Sequence, residues 1–159
     1  MPAKRNKVSA GLLMYRRRDG ELQVFLAHPG GPFFARKDAG AWTIPKGEIE
    51  PGDDAVTTAR REFAEEIGLE APHVLLPLGS IRQKGGKVVH AWAFEGECED
   101  ERPVQSNTFT MQWPPGSGRM QQFPEVDRAQ FFDLAAARVK IIGAQAELID
   151  RLASLLASR

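Results

Sequence analysis

Three glutamates crowded onto one short helix are the residues of this chain best placed to do chemistry. Glu62, Glu65 and Glu66 fall within the run Arg61-Glu62-Phe63-Ala64-Glu65-Glu66-Ile67-Gly68-Leu69. A helix is expected from about Asp54 to Ile67, with Asp53 or Asp54 able to cap its start and Gly68 ending it. At about 100° per residue the three acids lie within roughly 100° of one another. Val56, Ala59, Phe63 and Ile67 fill a neighbouring stripe of roughly 80°, the face expected to be buried. Like charges at i and i+4, here Glu62 and Glu66, cost a helix roughly 0.2–0.5 kcal/mol, and a cation would turn that repulsion into attraction. Mg²⁺ takes oxygen ligands, commonly one or two carboxylates plus substrate phosphates. Taken alone, such a cluster is more often a solvated face paired with Arg60 and Arg61.

The residues upstream sharpen the reading. From Gly47 the chain runs through five residues to Asp53, then seven to Arg61 and the acidic run ending at Leu69. This resembles the signature of the Nudix hydrolase family, G-x5-E-x7-R-E-U-x-E-E-x-G-U, where U is a bulky apolar residue. The spacing matches at all 23 positions. Asp53 stands where the family has Glu, and Phe63 fills a position more often aliphatic. The lead-in Trp42-Thr43-Ile44-Pro45-Lys46-Gly47 is also similar to the family's approach to the motif.

The resemblance implies a Mg²⁺-dependent hydrolase, with Mn²⁺ as the alternative ion, that cleaves a pyrophosphate bond in a nucleoside diphosphate linked to another group. Its metal ligands would be Glu62, Glu65, Glu66 and the Gly47 carbonyl. Arg61 would orient the carboxylates through charge-assisted hydrogen bonds. Asp53 would either support the site through Arg61 or simply cap the helix. The general base would be Glu125, in Phe123-Pro124-Glu125-Val126-Asp127, or else Glu66, with Glu65 beside them in the catalytic group. Lys46, Arg36 and Lys37 precede or adjoin the motif and are candidates to hold phosphates. Trp113 could stack a base, whereas packing is expected of Trp42 and His90. The approach Ile44-Pro45-Lys46-Gly47 leans toward dinucleoside polyphosphates, although the downstream tyrosine common in such enzymes is replaced by the stretch Gly85-Gly86-Lys87. The alternatives are a nucleotide-sensing module that does not cleave, and a pyrophosphohydrolase acting on RNA 5′ ends.

The rest of the chain must position these groups. With 159 residues it fits a single domain, 1–159, able to bury a sizeable core. Its 21 basic and 21 acidic residues balance, which disfavours a dedicated nucleic-acid partner and leaves a small nucleotide. A homodimer is compatible with this. Cys98 is the only cysteine, so neither an internal disulfide nor a thiolate metal site can form. The basic start, Met1–Lys7, leads into an apolar run too short for a signal peptide, and no stretch reaches the roughly 20 apolar residues needed to span a bilayer. A cytoplasmic protein without membrane contact is the expectation.

Strands are expected at Val8–Arg16 and Leu22–Ala27, joined as a hairpin at Asp19-Gly20, and at Val74–Arg82 and Lys87–Glu95, joined across Gly85-Gly86. Trp42–Ile44 reads as a short strand stopped by Pro45. Ser106–Phe123 holds the turn sequence Trp113-Pro114-Pro115-Gly116. Gln130–Asp133 reads as a last strand, Leu134–Arg138 as a helical turn, and Ala144–Leu156 as an amphipathic helix. The fold class is therefore α/β of the α+β type, a mixed central sheet flanked by helices; the resemblance implies the family's α/β/α sandwich.

Overall fold

A computed structural model describes residues 7–159, so Met1–Asn6 of the basic N-terminal stretch lie outside the described residues. The long strand β1 (Val8–Arg18) organises the molecule, because its alternating side chains are apolar on both faces. Ala10, Leu12 and Met14 face one layer, packing with Phe63 and Ile67 of helix α1 (Ala55–Ile67). Leu13 and Tyr15 face the other, which is closed by α2 (Leu134–Lys140) and α3 (Ala146–Ala157) through Ala137, Leu148, Ile149 and Leu152. The expected helix–sheet–helix layering is present.

The remaining strands are β2 (Glu21–Pro29), β3 (Lys46–Glu48), β4 (Leu76–Arg82), β5 (Val88–Glu95), β6 (Glu101–Arg102), β7 (Thr108–Gln112), β8 (Met120–Pro124) and β9 (Val126–Asp133). The main sheet runs β4-β5-β1-β2-β9-β6, with β1 and β5 parallel and the other pairs antiparallel. One edge of β1 is shared. Ser9–Gly11 pair with β3, whereas Tyr15–Arg18 pair with β2. The sheet forks there, and α1 crosses the fork.

Aromatic side chains lock α1 onto the sheet. Phe63 is fully buried and meets Phe94 edge-to-face at 5.2 Å, while Phe25 meets Phe131 at 4.9 Å. The aromatic departure at position 63 is thus a core contact. Truncating it to alanine is expected to cost about 3–5 kcal/mol.

One expectation needs correction. Trp42–Ile44 is not a strand, because its backbone divides between partners: Trp42 joins the segment after α2 through Lys140 and Ile142, and Thr43 joins Ala27. The strand begins only past Pro45, which has no N–H to give a ladder. The expected turn around Trp113 is present; it is the tip of a hairpin, β7–β8, whose strands are largely exposed and so carry little hydrophobic alternation. No helix among the described residues is long and apolar enough to cross a membrane.

Candidate active site

Helix α1 starts where Asp54 accepts a hydrogen bond from the Val56 N–H at 3.2 Å and also bonds the Thr57 hydroxyl. It ends at Gly68, whose φ of 79° and N–H bond to Ala64 close the last turn. Since Asp54 is the cap, Asp53 is free for another partner. Arg61 reaches it at 3.4 Å, and the same guanidinium lies 3.6 Å from Glu62 and 3.8 Å from Glu65. The shorter Asp therefore keeps the contact with Arg61.

The fork in the sheet leaves a cavity of about 380 Å³ beside α1, lined by Ser9, Lys46, Gly47, Glu48, Glu62, Glu66, Lys87 and Glu125. A Cβ at position 47 would meet the Glu62 carboxyl, so any larger residue there would push that acid off its place. The acid thus rests directly on the backbone of β3. Glu66 is only 7% exposed. Burial, reinforced by Glu62 and Glu125, pushes its pKa up to about 8, against the opposing pull of Lys46. Burial and then Glu65 raise Glu62, with Arg61 opposing, and the same two causes raise Glu125. Lys46 is lowered to about 8, first by burial and then by its neighbour Lys87. Like charges therefore face one another on both sides of a partly desolvated cleft.

A second cavity of about 320 Å³ shares Lys46, Glu66, Lys87 and Glu125 with the first and continues toward Phe34, Thr43, Gln83 and Ile142. Glu125 enters both from the start of β9, where the β2–β9 register shifts. Its carbonyl accepts from Gly30 at 3.0 Å and its N–H donates to Asn107 at 2.8 Å.

The sequence profile of the NUDIX domain matches residues 5–152. The chain belongs to the NUDIX domain family. It is 37% identical over 60 residues to the asymmetrical bis(5′-nucleosyl)-tetraphosphatase of Rattus norvegicus, covering 34% of this chain and 41% of that protein. It is 41% identical over 64 residues to an RNA pyrophosphohydrolase of Erythrobacter litoralis, 37% of each chain. The matches thus span about two fifths of these curated relatives' length. Among solved structures, a Caenorhabditis elegans Ap4A hydrolase binary complex superposes with a TM-score of 0.67 at 23% identity, covering 96% of this chain and 99% of that one, a likeness of fold.

In this NUDIX domain, Lys46, Gly47, Glu62, Glu66 and Glu125 come together as the sequence suggests. Glu65 does not line the cavity. It stands on the exposed side of α1, where Asn107 donates to it at 3.3 Å. Arg36 and Lys37 sit on an exposed loop and line neither cavity; the Lys37 ammonium lies over Phe34 instead. Trp42 is in the core, edge-on to Phe132 at 4.9 Å, and Trp113 packs against Phe33 at 5.6 Å. Sequence reasoning missed Ser9, Lys87, Gln83 and Asn107. Lys87 was legible in principle as a basic residue just after Gly85-Gly86, but only the fold puts it opposite Lys46.

The donor set suits a divalent cation. Among the described residues no three acids converge into a preformed cage. Mg²⁺ does not need one, since it keeps several waters and borrows oxygens from substrate. The carboxylates of Glu48, Glu62, Glu66 and Glu125, the β3 backbone at Gly47 and the buried, unpartnered Ser9 hydroxyl line the same space, all hard oxygen groups.

Proposed function

We propose that this NUDIX domain is a divalent-metal-dependent hydrolase of pyrophosphate bonds in nucleoside diphosphates linked to a second group, with dinucleoside polyphosphates as the leading class. The observation that carries the reading is the meeting of Glu62, Glu66 and Glu125 with Lys46 and Lys87 around one cleft. Partial similarity to a bis(5′-nucleosyl)-tetraphosphatase supports the substrate class.

Mg²⁺ or Mn²⁺ would be held by Glu62, Glu66 and the Gly47 carbonyl, with Glu65 at the margin, and would supply charge neutralisation and Lewis acidity. Arg61 keeps Glu62 and Glu65 in place and is itself held by Asp53. Lys46 and Lys87 bind the phosphate oxygens that the acids alone would repel. Glu125 faces the ligand acids from another element and takes the proton of the attacking water. Glu66, the other contender for that role, is assigned to the metal because it lies deeper and beside Glu62. Most of the catalytic gain is then positioning and electrostatics.

The test is a panel of dinucleoside polyphosphates, nucleotide sugars, ADP-ribose, NADH, nucleoside triphosphates and triphosphate-ended RNA, incubated with Mg²⁺ and resolved by product. Cleavage of a small nucleotide at a pyrophosphate bond is expected. Tight binding without turnover would favour a sensing module, and turnover confined to RNA would favour a 5′-end pyrophosphohydrolase.

A further inference from the structure

The second cavity carries a polar network whose direction is fixed. Gln145, in the short 3₁₀ turn Gly143–Gln145 before α3, is completely buried. The Ile44 N–H donates to its side-chain oxygen at 2.9 Å, which identifies that atom as the acceptor. Its amide nitrogen therefore donates, to Thr43 Oγ1 at 3.2 Å and to Gln83 Oε1 at 2.8 Å. Thr43 is consistent with this, since its own hydroxyl donates to the Ile44 carbonyl at 2.7 Å.

The consequence falls on Gln83. Its oxygen is occupied, and its Nε2 has no protein acceptor among the described residues. Gln83 lines the second cavity, and its NH₂ is the group that this side chain has left to donate there. Lys46 and Lys87, also in the lining, are donors when charged. Phe34, Pro29, Ile142 and Val126 add apolar surface to the lining, and Glu66 and Glu125 close the end shared with the metal cleft. A cavity of about 320 Å³ that sets apolar surface beside convergent polar groups has the form of a small-molecule subsite. A bare phosphate chain would leave these walls unused. A nucleobase offers flat apolar faces and acceptor atoms at its edge.

We propose that Gln83 is a specificity-determining residue that donates a hydrogen bond to the nucleobase in the second cavity, with Gln145 as the positioning residue that turns its amide toward the ligand. The assignment rests on the nucleotide reading of the neighbouring cleft. Removing the donor leaves a base acceptor unpaired, which weakens binding about tenfold while sparing contacts to phosphate.

Calorimetric titration of AMP, GMP, CMP, UMP and inorganic phosphate into the full chain with Mg²⁺ tests this, using wild type, Gln83→Met and Gln145→Met. Gln83→Met is expected to weaken at least one nucleotide about tenfold and to change phosphate binding less than twofold. Gln145→Met is expected to lose the same nucleotide selectivity. Gln83 is part-exposed, so its variant keeps the test open should Gln145→Met fail to fold. Nucleotide affinities unchanged in Gln83→Met, equal losses for nucleotide and phosphate, or wild-type nucleotides binding no better than phosphate would each overturn the proposal. Gln83-dependent nucleotide binding without turnover of any substrate would instead overturn the hydrolase reading and leave this one standing.

Discussion

The carboxylate cleft beside α1 and the larger groove between β4 and α3 differ in how far their charges are already satisfied. The groove, about 630 Å³, is lined by Pro77, Leu78, Glu147, Asp150, Arg151 and Ser154 among others. Its chief cation is fully engaged: Arg151 donates to the Leu78 and Ser80 carbonyls at 2.9 and 2.8 Å and to Glu147 at 2.9 Å. In the smaller cleft, Glu66 and Lys46 are both driven to about 8, and Glu62 and Glu125 are raised as well. Volume marks the first site and unrelieved electrostatics the second. Perturbed titratable groups gathered in a cleft are the better guide to chemistry.

The sharpest break in this comparison is Glu66→Gln, which removes the proposed metal ligand while keeping volume. Turnover should fall about a hundredfold or more with the melting temperature preserved or raised. Near-normal turnover would remove Glu66 from the site. Lys87→Ala should act mainly on substrate affinity, raising KM about tenfold with little change in kcat, as steady-state kinetics would show. A fall in kcat alone would mean that Lys87 acts at the transition state.

Asp53→Glu should change activity by less than about threefold, because the contact with Arg61 already exists and is exposed. A large loss would show that the shorter acid is fitted to its own geometry. The smallest effect is expected from Arg151→Ala in the groove. It should cost about 1 kcal/mol of stability in denaturant titration and leave turnover unchanged. Lost turnover there would bring the groove into the function.

What the sequence made legible follows from how local each feature is. The span of α1, the burial of Ala59, Phe63 and Ile67 and the meeting of Glu62 with Glu66 are consequences of helical geometry and a fixed spacing, whereas Val56, in the first turn, stays partly exposed and Thr58 is buried instead. Phe63 was readable as core for the same reason. Lys87 and Ser9 reach the cleft only because β5 lies parallel to β1 and β3 pairs at the fork, contacts that no local pattern encodes. The β7–β8 strands were hidden by their exposure. Glu65 shows the limit of the wheel: three acids share an arc, but the arc is wider than the cavity, and its outer member bonds Asn107 instead.

The central claim is that the cleft is built around a divalent cation, and Mn²⁺ titration followed by the resonance of the free ion tests it most directly. Glu66 has a folded pKa raised from 4.5 to about 8, so its contribution to stability is present below 4.5 and is lost as pH rises through about 8 in the metal-free protein. It must also shed its proton to bind metal. Mn²⁺ affinity should therefore climb as pH rises toward about 8 and then level off, and Glu66→Gln should bind weakly without that climb. Equal Mn²⁺ affinity in both proteins, flat across this range, would contradict the account.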